Sequence, residues 1–382
     1  MRLHYISSSP LPSRQANSVH VMKMCSAFAN EGYETTLYAR KSSKSASHEG
    51  LYRDYGVHSN FQVKALPYFH GKIIWNISYC FGLWRIIKSR TSPDLFYGRY
   101  PLGLAVCSYL YPKVKTALES HALPLGKFQK QLEKYLLKRP NFTKLVVISE
   151  ALQQDYLRLF PFLDPARVIV AHDGADVPEA MDAGNVKAPD LLGESPRIKI
   201  AYCGRLTHGK GMGLIAELVP LCPDVDFHII GGSDDEVSYW RQKINADNVY
   251  FYGHINHGDL AGYYQQMDVM LAPLQKENKL NENYDIGRWT SPLKIFEYMS
   301  FKKPIVASDI PVLREVLRDG ENSLLVSPVD AAEWRDAINK IVTDKDLSLA
   351  LGDQAFYDLS HQYTWNIRAK NILSSITTAH AG

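Results

Sequence analysis

Gly204-Arg-Leu-Thr-His-Gly-Lys210-Gly211, read together with Ser291-Pro-Leu-Lys294-Ile-Phe-Glu297, decides the fold. The first stretch follows a short apolar strand, Ile198 to Tyr202, and opens an amphipathic helix over Gly213 to Val219. A strand, a glycine-bearing turn and a helix together aim free backbone N–H groups and the positive end of a helix dipole at an anion. Arg205 and Lys210 add two side-chain cations, which suits a pyrophosphate better than a single carboxylate. The second stretch also opens a helix and presents Lys294 and, one turn on, Glu297, an acid suited to accept hydrogen bonds from a ribose. A diphosphate with a sugar on each side is a nucleotide-sugar, so the two stretches point to glycosyl transfer.

Composition bounds the rest. A chain of 382 residues accommodates two domains of about 150–200 residues, each burying its own core. The apolar share of 46% and the charged share of 22% are globular values. Five cysteines, at 25, 80, 107, 203 and 222, have no metal-like spacing and are expected as reduced core residues of a cytoplasmic protein. The opening Met1-Arg-Leu-His-Tyr-Ile reads as a strand, so no signal peptide is expected, and no apolar run approaches the ~18 residues of a spanning helix. The net charge of +3 hides an asymmetry: residues 1–190 hold 24 Lys/Arg against 15 Asp/Glu, and the remainder 19 against 25. The basic first half suits either an anionic membrane surface or lipid-linked phosphate, or plain solvation. No nucleic-acid partner is expected.

Short apolar strands alternate with amphipathic helices over nearly the whole length, the pattern of parallel α/β domains. Strands are expected at Arg2–Ser7, Glu34–Tyr38, Phe61–Ala65, Leu95–Tyr97, Lys115–Leu118, Lys144–Ile148 and Val168–Val170 in the first half. The alternation restarts after residue 197, with helices that include Ser238–Ile244, Leu293–Ser300 and Val312–Val316. The expected organisation is an N-terminal domain over 1–173, a linker over 174–196 and a C-terminal nucleotide-sugar domain over 197–362. A terminal helix within 363–382 is expected to pack back on the first domain. The fold class is α/β: two doubly wound, Rossmann-like domains facing a central cleft, with ligands beyond the carboxyl ends of the strands.

Four segments in order resemble the retaining glycosyltransferases of family 4, which have the GT-B fold. Val170-Ala-His-Asp-Gly174-Ala-Asp176 resembles the family's strand-to-linker motif, and Tyr202-Cys-Gly204-Arg205-Leu206 with Lys210-Gly211 its phosphate-binding turn. Val249-Tyr-Phe-Tyr-Gly253-His254-Ile255, followed by Leu260, Tyr264 and Asp268 to Pro273, resembles the base-binding strand and its neighbour. Ser291-Pro292-Leu293-Lys294-Ile-Phe-Glu297, then Lys303 to Ser308, resembles the donor-sugar and ribose segment, as in a Ser-Pro-Leu-Lys subset of the family. The resemblance implies that Gly204, Gly253, His254, Ile255, Ser291, Pro292, Leu293 and Lys294 hold the donor, with Arg205, Lys210, Glu297 and His121 as catalytic residues. The family pairs two glutamates with seven residues between them; Glu297 matches the second, but Trp289 stands at the first. Asp285 or backbone amides near Ser291–Leu293 are the candidates to take its place.

Each candidate has a plainer reading beside it. Arg205 and Lys210 suit the charge of a departing diphosphate, against a charged helix start. Glu297 lies in an otherwise apolar helix, where an unpaired acid is costly. His121, in Glu119-Ser-His121 at a strand end, suits contact with the transferred sugar or with the acceptor proton, against helix capping; Glu119 suits a structural role. Arg14, in the loop before a helix capped by Asn17 or Ser18, and Arg99 at another strand end are candidate phosphate or acceptor contacts, or ordinary loop arginines. The run Lys72 to Lys88 suits core packing better than membrane docking. Asp234-Asp235 is expected in a loop and is not a metal motif; no metal or other cofactor is expected. The reaction so implied moves a sugar from a nucleoside-diphosphate sugar to a hydroxyl of a glycan or lipid-linked glycan, with retained configuration, in bacterial polysaccharide or glycolipid assembly. It would take place in the cytoplasm or on the inner membrane face. The alternatives are a nucleotide-sugar 2-epimerase of the same fold and a non-catalytic sugar-binding protein.

Overall fold

Two parallel sheets organise the chain, and each builds its own unit in this computed structural model. Residues 1–378 are described, apart from 43–47, 67–71, 89–91, 179–188, 194, 278, 282, 283 and 286. The first unit comprises Met1–His172 and Trp365–Gly382, the second Asp173–Thr364.

The first unit alternates β1 (Arg2–Leu11), α1 (Ala16–Asn30), β2 (Glu34–Lys41), α2 (His48–Asp54), β3 (Gln62–Leu66), α3 (Lys72–Lys88) and β4 (Leu95–Gly98). It continues with α4 (Pro101–Leu110), β5 (Lys115–Ser120), α5 (Gly126–Leu137), β6 (Phe142–Val147), α6 (Glu150–Leu159) and β7 (Val168–Val170). The sheet order is β3-β2-β1-β4-β5-β6-β7, so the winding reverses between β1 and β4. Its central strands are buried on both faces, as their continuous apolar runs require. The expected Asn17 or Ser18 cap is corrected. Helix α1 starts at Ala16, because Ser9 Oγ donates to Asn17 Oδ1 (2.5 Å) and Ser18 Oγ donates to the Pro10 carbonyl (3.1 Å). Both side chains are thereby turned to the loop after β1. Helix α3 buries Tyr79, Leu83 and Ile87, as a core helix would, while Ile77 and Phe81 on its other side are exposed.

The second unit contains β8 (Ile198–Cys203), α7 (Met212–Leu218), β9 (Val225–Ile230), α8 (Asp234–Lys243), β10 (Val249–Gly253), α9 (Leu260–Gln265) and β11 (Val269–Ala272). A hairpin of β12 (Lys279–Asn281) and β13 (Tyr284–Asp285) follows. Then come α10 (Leu293–Ser300), β14 (Ile305–Ser308), β15 (Leu324–Val326), α11 (Ala331–Thr343) and α12 (Lys345–Asp358). The main sheet runs β10-β9-β8-β11-β14-β15. Alternation along β8 and β11 divides the core in two: Ala201, Cys203 and Met270 pack with Tyr264 and Tyr298, while Ile200, Tyr202 and Leu271 pack with Trp334.

Three expectations change here. Asp234 and Asp235 lie in the first turn of α8, because Ser233 and Glu236 form a reciprocal capping box that starts the helix early. The segment Val312–Val316 is a run of turns and not a helix. The described part of 174–196 is built into the second unit: Ala175 bridges Thr364, Leu191 packs on the core, and the Leu192 N–H donates to Tyr252 Oη (3.0 Å). The closing helix, α13 (Trp365–Thr377), belongs to the first unit. All five cysteines are free thiols, and Cys25, Cys107, Cys203 and Cys222 are buried.

Candidate functional site

In the second unit, the turn leaving β8 is fixed from beneath by side chains of the core. Tyr202 Oη donates to the Arg205 carbonyl (2.7 Å), the Cys203 N–H donates to Tyr298 Oη (3.0 Å), and Trp240 Nε1 donates to the Leu206 carbonyl (2.6 Å). Two glycines are required. Gly204 has φ +152°, and a Cβ there would lie 2.3 Å from Lys294 Nζ. Gly211 has φ +90°, and a Cβ there would lie 2.0 Å from the Pro273 carbonyl oxygen. Glycine at 204 therefore makes the room that the Lys294 ammonium fills.

Lys294, on the first turn of α10, sends its Nζ over the Tyr202 ring, 4.1 Å from the centroid. The nitrogen is buried and has no hydrogen-bond partner among the described residues. Burial, reinforced by the Lys210 charge, pulls its pKa down to about 7. Burial and then the Arg205 charge pull Lys210 down to about 8. Arg205 itself is exposed. Three cations thus crowd one turn, an arrangement whose repulsion and desolvation an anion would relieve. One turn beyond Lys294, Glu297 Oε2 accepts from Tyr264 Oη (2.7 Å) and Oε1 lies 3.5 Å from His257 Nδ1. Ser291 Oγ accepts the Asp173 N–H (2.9 Å), which ties the start of this segment to the chain that enters the unit.

In the first unit, His121 follows the carboxyl end of β5 and meets a buried charge cluster. Its Nε2 lies 2.8 Å from Glu119 Oε1; His20 Nε2 of α1 lies 2.7 Å and Arg368 Nη2 of α13 lies 2.9 Å from the same oxygen. Tyr97 Oη of β4 donates to the other oxygen. Burial by itself would raise the Glu119 pKa, but Arg368 and the two histidines hold it well below the usual carboxylate range. With Glu119 ionised, the His121 ring presents an Nε2–H to it, while His20 Nε2 lies close to the same oxygen. His20, Glu119 and His121 have the spacing of a metal-ligand set. The Arg368 guanidinium already sits on the shared oxygen, so the cluster carries its own cation.

The remaining expected residues fall as follows. Arg14 is exposed in the loop after β1, and Arg99, just past β4, has a buried Nη1 with no hydrogen-bond partner among the described residues. Gly253, with φ +68°, ends β10 and lines a pocket of about 490 Å³ with Asp234, Arg241 and Phe251. His254 and Ile255 follow it, and Ile255 packs on the core. Pro292 is the N-cap residue of α10 and Leu293 its first residue. Asp285 ends β13, and its side chain lies outside the described residues. Trp289 is buried in a short 3₁₀ turn. The structure therefore brings Gly204, Arg205, Lys210 and Lys294 together, with Glu297 one helical turn away. Sequence reasoning missed His257, His20 and Arg368. The signals available were a histidine within the buried run of α1 and an arginine on the otherwise apolar inner face of α13.

Residues 197–344 match the family Glycosyl transferases group 1, and residues 18–178 match Glycosyltransferase Family 4. A phosphatidyl-myo-inositol mannosyltransferase of Mycobacterium leprae is 25% identical over 211 residues, covering 53% of this chain and 52% of the relative. The match thus spans about half the length of that relative. Among solved structures, a sucrose-phosphate synthase from Thermosynechococcus elongatus superposes with TM-score 0.72 at 19% identity, covering 100% of this chain and 99% of the other. Anabaena HepE in complex with UDP-glucose superposes with TM-score 0.69 at 14% identity, covering 99% and 100%. The fold is GT-B, two Rossmann-like α/β domains. The chain is a GT-B protein like the glycosyltransferases of family 4.

Proposed function

We propose that this protein is a retaining glycosyltransferase that moves a hexosyl or related sugar from a nucleoside-diphosphate sugar to a hydroxyl of a glycan or glycolipid, without a metal ion. The observation that carries the reading is the Lys294 ammonium, buried without a hydrogen-bond partner among the described residues in the space left by Gly204. A diphosphate satisfies it. Bound there, the anion raises the lysine pKa values and keeps Lys294 and Lys210 charged. These lysines and Arg205 then face the negative charge that grows as the sugar departs, a type of fixed electrostatic assistance worth about 3–4 kcal/mol per donor group. Glu297, already oriented by Tyr264 and His257, has lone pairs left to accept a ribose hydroxyl.

Departure and attack on one face of the sugar, with the leaving diphosphate taking up the acceptor proton, fits a chain whose donor segment carries Trp289 in place of a first glutamate. To His121 we assign the handling of the transferred sugar, its ring held by Glu119. The bound UDP-glucose of the Anabaena protein supports a sugar nucleotide as donor, and the name of the mycobacterial mannosyltransferase supports a lipid-linked acceptor. The test is a panel of nucleoside diphosphates scored by thermal stabilisation, then product analysis with the matching sugar donor. A ligand at a hundred times its dissociation constant adds about 2.7 kcal/mol. A new glycoside supports the reading. An epimerised donor, or stabilisation with no turnover across acceptors, would overturn it in favour of an epimerase or a binding protein.

A further inference from the structure

The outer face of α5 carries a surface whose chemistry the donor site does not use. Around this helix, Lys130, Lys134, Lys127 and Lys138 succeed one another, and Gln131, Tyr135 and Phe128 continue the arc. Phe128 is 75% exposed and Tyr135 43%. The opposite arc, Glu133, Leu136 and Leu137, is buried. Glu133, the only acid of the helix, points inward and accepts from Tyr156 Oη (2.8 Å), so no carboxylate of α5 offsets the lysines. The surface extends beyond the helix. Arg139 lies over both Tyr135 and Tyr109, the latter 66% exposed at the end of α4, and Lys138 lies over the exposed ring of Phe162.

Exposed aromatic rings are costly in water unless something apolar receives them, and a soluble protein partner gives no reason for so many uncompensated lysines beside them. Rings that enter the headgroup boundary, with lysines and arginine reaching anionic lipid phosphates, answer both features. We propose that the α5 face, with Phe128, Tyr135 and Tyr109 flanked by Lys127, Lys130, Lys134 and Lys138, docks this protein on an anionic lipid bilayer. The surface stands apart from the donor reading, because vesicle binding is measured with no nucleotide present. It also fits that reading, since the chain runs from His121 through Ala122, Leu123 and Pro124 into Leu125 and α5, which would bring the carboxyl edge of β5 near a lipid-linked acceptor.

The full chain is sedimented with vesicles of phosphatidylcholine alone and of phosphatidylcholine with phosphatidylglycerol. Binding to the anionic vesicles only, falling as salt rises, is expected. The pair Lys130→Glu with Lys134→Glu should weaken it tenfold or more, and Phe128→Ser several-fold. Phe81→Ser, on the exposed side of α3, should leave it within twofold. Circular dichroism confirms that these surface variants fold. Absence of wild-type binding overturns the proposal. So does equal binding to neutral vesicles, or anionic binding that α5 substitutions leave unchanged while Phe81→Ser abolishes it. Loss of vesicle binding with donor binding intact would separate this surface from the nucleotide site.

Discussion

Lys294→Met should make the empty protein more stable and the nucleotide complex weaker, two changes of opposite sign from one substitution. Burial and the neighbouring Lys210 charge hold the Lys294 pKa at about 7 in the folded protein. In the unfolded chain the ammonium titrates near about 10.4. The folded state therefore binds fewer protons than the unfolded state between these values, so stability rises with pH across that window. The difference disfavours the empty fold by roughly 5 kcal/mol at pH 6 and about 2 kcal/mol at pH 9. Loss of the contact between the ammonium and the Tyr202 ring, worth about 1–2 kcal/mol, offsets part of this. The variant should gain about 3–4 kcal/mol at pH 6 in urea unfolding and little at pH 9, which flattens the pH profile. In titration calorimetry its nucleoside-diphosphate affinity should fall about 30- to 150-fold, the value of a charge-assisted contact of about 2–3 kcal/mol. Wild-type affinity together with lower stability at pH 6 would show that the ammonium is a structural group and refute the reasoning.

Three further outcomes follow from the same geometry. Lys210→Ala should lower turnover about 10²-fold while leaving the fold intact, because its proposed role is to face charge that develops as the diphosphate leaves; steady-state kinetics with unchanged kcat would contradict this. Transfer should survive EDTA, and a tenfold loss restored by magnesium or manganese would reveal a metal requirement. Arg368→Met should destabilise the first unit by about 3–5 kcal/mol, because it leaves the buried Glu119 carboxylate without its guanidinium. Glu119→Gln added to it should restore part of that loss in urea unfolding, and no restoration would show that the pair is not coupled.

What the sequence disclosed and what it hid divides along physical lines. Strand–turn–helix units are local: α10 has the bounds its periodicity predicts, Leu293–Ser300, and the turn at Gly204 to Gly211 is legible from glycine and cation spacing. Helix starts were hidden where side chains made other bonds. Asn17 and Ser18 answer to Ser9 and Pro10, and α8 begins at a capping box that sequence inspection did not weigh. The Glu119 cluster was illegible for a different reason. Its partners come from α1, β4, β5 and α13, with Arg368 separated from Glu119 by 249 positions, and no spacing rule links residues that only topology brings together. The same holds for the burial of Lys294, which depends on Gly204 and Tyr202 in another strand-turn unit.

Proton uptake on nucleotide binding tests the account most directly. At pH 8, Lys294, with its pKa at about 7, is largely neutral in the empty protein, and Lys210, at about 8, is half charged. A diphosphate that settles among them should draw protons in. Titration calorimetry at pH 8 in two buffers of different ionisation enthalpy should therefore report an uptake of about one proton or more per nucleotide, reduced in Lys294→Met. Nucleotide binding with no proton uptake, unchanged by that substitution, would place the diphosphate elsewhere and contradict the central claim.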